Sequence, residues 1–291
     1  MTGTILSTNP KQPVVSVLIC AYNAERFIGA TLRSVMAQTY GSLEVLVLDN
    51  DSSDRTKEVL EELRREEPRL KLYAGKKNLG AYGGLNYLLD RATGTYIAIQ
   101  DHDDIWHPDK IARQVEFLER NAGYVGCGTA IVNYYERYGT FLLRRQPEVS
   151  RVAWHTSLIF RNSGLRYNAK ARVANDFLFM KHILCRDGKR IHNLKEPYVL
   201  RMIRADRSNL SAKWISLKNL KEILFVRIGL FDKLALLNRL LLPGRIVDYL
   251  VLKVLLRKNI LPRADVERRF SDDDVLQIRI ALQQDRTNRL P

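Results

Sequence analysis

Between Val14 and about Arg120, short β-branched apolar runs alternate with longer segments whose apolar residues recur at helical spacing, an order that few folds accept. The runs Val14–Cys20, Leu43–Asp49, Leu70–Tyr73 and Tyr96–Gln100 predict strands. Their near-continuous apolarity implies a parallel sheet covered on both faces. Glu25–Gln38, Asp54–Glu67 and Tyr82–Ala92 predict the intervening helices, with Asp54 as an N-cap, and Pro108 opens a fourth helix reaching Asn121. The expected fold class is α/β, a mostly parallel open sheet flanked by helices. The 291 residues, 46% of them apolar, can bury one large core or two small ones, which excludes disordered, collagenous and disulfide-stapled chains.

Charge is unevenly spread. Residues 1–136 carry 15 basic and 18 acidic side chains, a net of −3, whereas residues 137–211 carry 16 and 5, a net of +11. Residues 212–262 add +7 and residues 263–291 are neutral. An even coat for nucleic acid is not expected; an acid-bearing half is followed by one suited to phosphates or acidic lipid headgroups. The three cysteines, Cys20, Cys127 and Cys185, are far apart and suit a reducing cytosol. Met1–Pro13 has no basic segment followed by an apolar one, so no secretory leader is expected there.

In open α/β sheets ligands bind beyond the carboxyl ends of the strands. Three of those ends are informative: Ala21-Tyr22-Asn23-Ala24, Asp49-Asn50-Asp51-Ser52-Ser53-Asp54 and Asp101-His102-Asp103-Asp104. None carries a glycine fingerprint or a Walker lysine. Asp101, Asp103 and Asp104 repel one another unless a cation or solvent separates them, and hard oxygen ligands favour Mg²⁺ or Mn²⁺. A solvated loop with Asp104 capping the next helix is the structural alternative. Asp49 can accept a hydrogen bond from a nucleobase imide N–H, or simply hold its own turn.

Taken in order, these segments resemble glycosyltransferase family 2, nucleotide-sugar-dependent enzymes with the GT-A fold. The likeness runs through VSVLICAYNAERFIGATLRSVMAQTY, LEVLVLDNDSSDRT, Asn78-Leu79-Gly80, the DxDD element of IQDHDDIWHPDKIARQVEFL and VANDFLFMKHILCRDGKRIHNL, over about residues 14–211. It implies that Ala21, Tyr22 and Asn23 line a nucleoside pocket, that Asp49 reads a uracil or thymine base, and that Asn78, Gly80 and His102 belong to the donor site. Asp101 and Asp103 would be the DxD pair, with Asp103 the direct ligand of a divalent cation that bridges the donor diphosphate, and Asp104 would lie against the sugar. Asp176 matches the general base. A carboxylate base without a protein nucleophile implies single displacement with inversion. The acceptor would be a hydroxyl of a lipid-linked or cell-surface glycan.

The chain departs from the family pattern at three places. Asn50 replaces a common Asp, Asp51 a common Gly, and Leu85 stands where many members carry an Arg that meets the diphosphate. Arg204 and Arg207, in the segment that resembles the family's terminal loop, are the candidates for that contact. Trp154 and His155 fall where the family builds its acceptor side, and either can equally be a core or surface residue.

These readings divide the chain into a catalytic domain, residues 1–211, and a basic C-terminal region, residues 212–291. The donor half of the domain covers about 14–120 and the acceptor half about 121–211. In residues 212–262, ten Lys and Arg interleave with dense apolar residues as amphipathic helices broken at Pro243-Gly244. Charges interrupt every apolar stretch before the roughly 18–20 residues needed to cross a bilayer. Such helices suit an anionic membrane surface, placing the protein at the inner face of the cell membrane, or they pack on the domain or in a homo-oligomer. Asp272-Asp273-Asp274 resembles an N-cap cluster ahead of Val275–Gln284. A non-catalytic basic RNA- or lipid-binding protein is the competing class, although no aromatic-basic stacking platform or nucleic-acid module supports it. A nucleotidyltransferase would need a Gly-rich, Lys-bearing loop near the first strand.

Overall fold

The computed structural model describes residues 12–168, 171, 174–204 and 259–270. The N-terminal half is the expected series: β1 (Val15–Ala21), α1 (Ile28–Met36), β2 (Leu43–Asp49), α2 (Thr56–Glu66), β3 (Leu70–Ala74), α3 (Gly80–Leu89) and β4 (Tyr96–Gln100). A short strand β5 (Ile105–Trp106) and helix α4 (Lys110–Arg120) follow. The second half holds β6 (Tyr124–Tyr135), β7 (Thr140–Arg144), β8 (Val149–Ser150), β9 (Ile159–Arg161), α5 (Asn175–Leu178) and the long β10 (Arg190–Ile203). After α5 the chain winds on as a π-helix through Leu184. Finally β11 (Ile260–Leu261) and α6 (Arg263–Arg269) return to the sheet.

The sheet runs in the order β11-β7-β6-β9-β4-β1-β2-β3. It is open and mixed. β4, β1, β2 and β3 pair in parallel, while β9 joins β4 and β6 in antiparallel fashion, and β10 lies parallel to β6. Alternation sends Val15, Val17 and Ile19 to one face, with Ile28, Leu32 and Val35 of α1 and Ile111 and Val115 of α4. Leu18, Leu46, Leu48, Ile97 and Ile99 face the other way, against Leu85, Leu88 and Leu89 of α3. Both faces are dry, which is why the strands read as continuous apolar runs. Helix α3 approaches β1 so closely that a Cβ on Gly84 would lie 2.2 Å from Cys20 Sγ.

Strand limits agree with the sequence to within a residue, whereas helices α1 and α4 begin two or three residues late. Residues 24–27 form a turn in which Ala24 C=O accepts from Phe27 N–H and Ile28 N–H, both at 2.9 Å, and α4 starts at Lys110 rather than Pro108. Ile260–Leu261, expected within helices, is an edge strand on β7, and Val266 and Phe270 behind it are buried with Phe27, Ile105 and Val132. The rest of the basic segment, and the Asp272–Asp274 cluster, lie outside the described residues. Among the described residues no helix is long and apolar enough to cross a membrane.

At the amino edge of the sheet, Glu44 is buried and accepts hydrogen bonds from Ser16 Oγ, Thr93 N–H and Oγ1, Gly94 N–H and Lys71 Nζ. Burial alone would raise its pKa, but the bonds from Lys71, Ser16 and Thr93 outweigh it and hold the carboxyl down at about 2. Because the folded pKa lies below the unfolded one, this stabilisation is present above pH 4.5 and is lost as pH falls toward 2. Glu44→Gln should therefore cost about 2–3 kcal/mol at pH 7 and much less at pH 2.5, measured by urea unfolding at both pH values. An equal cost at both would show that the ionised carboxylate is not what holds this edge.

Candidate active site

The parallel register places Ala21 beside Asp49 and Asp49 beside Ala74, so the loops after β1, β2 and β3 leave the sheet level with one another. The first two are laced together. Asn23 N–H donates to Ser52 Oγ at 3.0 Å and Ser53 N–H to Asn23 Oδ1 at 2.9 Å. Ala24 N–H donates to Thr56 Oγ1 at 2.7 Å, Glu25 N–H to Asp54 Oδ2 at 3.1 Å, and Arg55 N–H to Glu25 Oε2 at 2.9 Å. Asp54 thus serves two loops as well as the start of α2, where Thr56 N–H donates to it. Asn23 (φ 47°) and Asp51 (φ 67°) are left-handed, a conformation that Asn and Asp tolerate better than most residues. That explains how Asp51 stands where Gly is common.

Asp49 is buried and accepts from Ser52 N–H at 3.2 Å. Asn50 is a fastener. Its Nδ2 donates to Asn78 Oδ1 at 3.1 Å and Gly80 C=O at 3.3 Å, and its Oδ1 accepts from Leu79 N–H at 2.9 Å. Asn78 Oδ1 also accepts from Gly80 N–H at 2.8 Å, and Gly80 takes φ 71°, so Asn-x-Gly is a turn that a carboxylate at position 50 could not clasp in the same way. Ala21 is buried beneath this rim, while Tyr22 stands 44% exposed at its edge.

After β4 the four residues point in different directions. Asp101, with a side chain 40% exposed, lies 3.6 Å from His155 Nδ1. Burial pushes the Asp101 carboxyl up, but His155, with help from Arg201, outweighs it and the pKa is lowered. His102 turns back, its Nδ1 3.2 Å from Cys20 C=O and its Nε2 3.1 Å from Arg204 Nη2. A neutral imidazole protonated at Nδ1 satisfies both partners. Asp103 Oδ2 pairs with Arg204 Nη2 at 2.7 Å. Asp104 is buried and accepts from Met202 N–H at 3.0 Å. Burial, then the charges of Asp103 and Asp101, push its carboxyl well above the usual range.

The second half brings His155 and Asp176 to the same rim. His155 sits in a 3₁₀ turn, His155–Ser157, and its Nε2 is 2.9 Å from Tyr167 Oη. Burial lowers the imidazole pKa, but Asp101 and then Asp176 raise it by more. Asp176 lies in the first turn of α5, two residues after Ala174, which takes a left-handed conformation (φ 51°), a strained setting for Ala. Tyr82 and Tyr167 close the group. Their rings lie 5.3 Å apart by centroid, Tyr82 is 6.2 Å from His155, and burial and then the Asp176 charge push both phenols well up. Asn86 holds Tyr167 through a reciprocal pair, Nδ2–H to Tyr167 C=O and Tyr167 N–H to Oδ1, each 2.9 Å.

Trp154 stays apart: its ring packs on the core with Arg144 5.4 Å from its centroid. Leu85 is buried core, and Arg207 lies outside the described residues. Tyr82, Asn86, Tyr167 and Arg201 are the residues that the sequence did not single out. Only Tyr82 carried a signal, its place just past Asn-x-Gly. For a divalent cation the donor set is open rather than a cage: among the described residues no three His, Cys, Asp or Glu converge. Asp103 nevertheless already holds a cationic group at 2.7 Å, and its hard oxygen suits Mg²⁺ or Mn²⁺ completed by phosphate oxygens and water.

The family model for glycosyl transferase family 2 matches residues 16–184. Among solved structures, S. aureus TarS 1–349 in complex with UDP-GlcNAc superimposes with a TM-score of 0.60 at 21% identity, over 84% of this chain and 77% of that one. The mannosyltransferase PcManGT from Pyrobaculum calidifontis, in complex with GDP-Man and Mn²⁺, gives 0.54 at 18% identity over 74% and 62%. At these identities the likeness is one of fold, the GT-A glycosyltransferase architecture. The chain belongs to glycosyltransferase family 2. The Escherichia coli UDP-Glc:alpha-D-GlcNAc-diphosphoundecaprenol beta-1,3-glucosyltransferase WfgD is 37% identical over 130 residues, 44% of this chain and 51% of that protein. The chain spans 57%, 58% and 48% of three further curated relatives, each 33% or 34% identical to it.

Asn50→Ala removes the clasp on the Asn78–Gly80 turn and should lower stability by about 1–3 kcal/mol, while Asn50→Asp should recover only part of it. Urea unfolding of the three proteins measures this. An unchanged midpoint in Asn50→Ala would remove Asn50 from that role.

Proposed function

We propose that the chain is an inverting glycosyltransferase that moves a sugar from a UDP- or dTDP-linked donor to a hydroxyl of a lipid-linked or cell-surface glycan. The observation that carries this reading is the meeting of Asp101, Asp103, His155 and Asp176 at one rim, beside loops fastened to receive a nucleotide. The name of WfgD supports a diphospholipid-linked acceptor, and TarS, crystallised with UDP-GlcNAc, supports a UDP-sugar donor.

In this mechanism the nucleoside lies over Ala21, Tyr22 and Asn23, with Asp49 accepting from the base imide. Asp101 faces the ribose, and Asp103 would hold a divalent cation, for which PcManGT in complex with GDP-Man and Mn²⁺ is support. When bound, that cation neutralises charge growing on the departing diphosphate. Arg204 serves the same anion in place of the cation that Leu85 cannot supply. Asp176 accepts the proton of the acceptor hydroxyl as it attacks the anomeric carbon, in a single displacement that inverts configuration. The Tyr82, Tyr167 and His155 wall excludes water and fixes the hydroxyl against Asp176. Asp104 accepts from the β10 backbone at Met202 and lies on the sugar side of the pocket. Residues 1–211 form the catalytic domain, and the basic residues 212–262 hold it to the anionic inner face of the cell membrane.

UDP with Mn²⁺ should raise the melting temperature, by the equivalent of about 2.7 kcal/mol at one hundred times Kd, and Asp103→Ala should abolish the shift. No shift with any nucleoside diphosphate and either metal would remove the donor site. Asp176→Asn should leave the shift intact while lowering transfer by roughly 10²–10⁴-fold. Retained transfer would take Asp176 out of the role of base. The full chain should sediment with anionic vesicles and not with neutral ones; equal recovery on both would remove the electrostatic part of membrane binding.

A further inference from the structure

Helix α3 reaches both halves of the site. At its start, the Asn78–Gly80 turn is clasped by Asn50 to the loop after β2. Tyr82 and Asn86, four residues apart, share one face of the helix, and both contact the second half of the domain. Asn86 holds the Tyr167 backbone through two bonds of 2.9 Å. The Tyr82 ring lies 5.3 Å from that of Tyr167 and 6.2 Å from that of His155. Its phenol oxygen accepts a hydrogen bond from the Asp176 backbone. That amide lies in the first turn of α5, where N–H groups have no carbonyl within the helix to bond. Tyr167 in turn stacks on Phe179, just past α5, with centroids 4.2 Å apart and an interplanar angle of 26°.

We infer that Tyr82 is a positioning residue for the transfer: reaching across from the donor-side helix, its phenol holds the first turn of α5 and so sets where the Asp176 side chain stands relative to the nucleotide loops. This inference rests on the reading of Asp176 as the base. A helix of four residues has little stiffness of its own, and α5 is entered through the strained Ala174. Asp176 Oδ1 is buried without a hydrogen-bond donor among the described residues, so that oxygen is aimed by its backbone rather than by a partner. What fixes the backbone therefore fixes the base. The acceptor hydroxyl must meet the base and the anomeric carbon together, and an error of about 1 Å in such an arrangement costs roughly 10²-fold in rate. Because α3 is tied to the donor loops at its start, a bond from α3 to Asp176 relates the two ends of the reaction directly. Ring and hydroxyl divide the work: the ring packs on Tyr167 and His155, and the oxygen holds Asp176.

The test compares Tyr82→Phe, which keeps the ring and removes the hydroxyl, with Tyr82→Leu, which removes both, in the full chain. Release of UDP from UDP-GlcNAc and from UDP-glucose, with Mn²⁺ present, measures turnover. Tyr82→Phe should lower kcat by about ten- to a hundredfold while leaving the donor KM and the melting shift given by UDP with Mn²⁺ unchanged; Tyr82→Leu should lower kcat at least as far. A second readout needs no substrate and so decides for any donor sugar. In protein labelled with ¹⁵N-aspartate, the Asp176 amide is the resonance missing from Asp176→Asn. In Tyr82→Phe its proton should move upfield and exchange faster with solvent, whereas Tyr138→Phe should leave it in place. An Asp176 amide unmoved in Tyr82→Phe, or an unchanged kcat, overturns the positioning role and leaves the donor site standing. Altered KM and melting shift with kcat intact would make Tyr82 a packing residue only and overturn it equally. Neither a UDP shift nor turnover in the unaltered protein overturns the donor site and this role together.

Discussion

A parallel sheet packed on both faces has almost nowhere to put polar chemistry except the edge where its strands end. Here β2 and β4 are buried along their whole length and β1 at every residue but Cys20, so side chains that need water or a ligand are pushed into the turns beyond Ala21, Asp49 and Gln100. Register does the rest, because level strand ends bring turns tens of residues apart within hydrogen-bond reach. The lacing of residues 23–25 to 52–56 follows from that alignment, and Asn50 extends it to the turn before α3. A one-residue slip of β2 would invert its faces and separate Asn23 from Ser52 at once.

The strands of this half were legible because continuous apolarity has a single physical cause, burial on both sides. Helix starts were less so. Periodicity in Glu25–Gln38 is real, yet the backbone of residues 23–25 is spent on bonds to the β2 loop, and the helix begins at Ile28. The acids after β4 could be placed at the rim from sequence, but their individual directions could not. Asp104 turns to Met202 and Asp101 to His155, partners 98 and 54 positions away, and nothing local distinguishes one carboxylate from the other. Tyr167 was silent for the same reason: Asn86, from the other half of the domain, holds its backbone. The departures at Asn50 and Asp51, which looked like weak points of the resemblance, have structural uses as a clasp and a left-handed turn. Long β10 was hidden because its apolar residues alternate within a basic stretch and it pairs with β5, β6 and β8 together.

Gathering acids at one rim also settles how the uneven charge is used. At one of them, Asp104, burial and two acidic neighbours disfavour the ionised form. Another, Asp103, is met by Arg204, and Asp101 by His155, with Arg201 contributing to the fields at Asp101 and Asp104. All three partners come from residues 137–211, the segment with the large positive excess. That excess is partly internal counter-charge, drawn toward an acidic edge in the first half. Such an origin gives no reason for affinity to nucleic acid, whose polyanion would need the same side chains free and outward.

What remains is how the rim is kept in place between its two halves. Gln100, the last residue of β4, is fully inside: its Nε2 donates to Asp104 C=O at 2.7 Å and its Oε1 accepts from Thr156 Oγ1 at 3.1 Å. Thr156 C=O in turn accepts from Trp106 Nε1 at 3.1 Å, and Gln114 Nε2 holds Ser157 C=O at 2.9 Å. The turn carrying His155 is therefore bonded to the same strand end that carries Asp101. Lys110 Nζ, 3.8 Å from the centroid of the Trp106 ring and fully buried, packs that indole from behind. Burial lowers its pKa well below the usual lysine value, so the charged form is disfavoured there. The separation of Asp101 and His155 is thus fixed by neutral bonds in a dry core, where each is costly to break, rather than by the attraction between the two groups themselves. A rim held this way keeps the spacing of Asp101 and His155 whatever charge gathers around them, because the frame beneath is made of neutral hydrogen bonds from Gln100, Thr156 and Trp106.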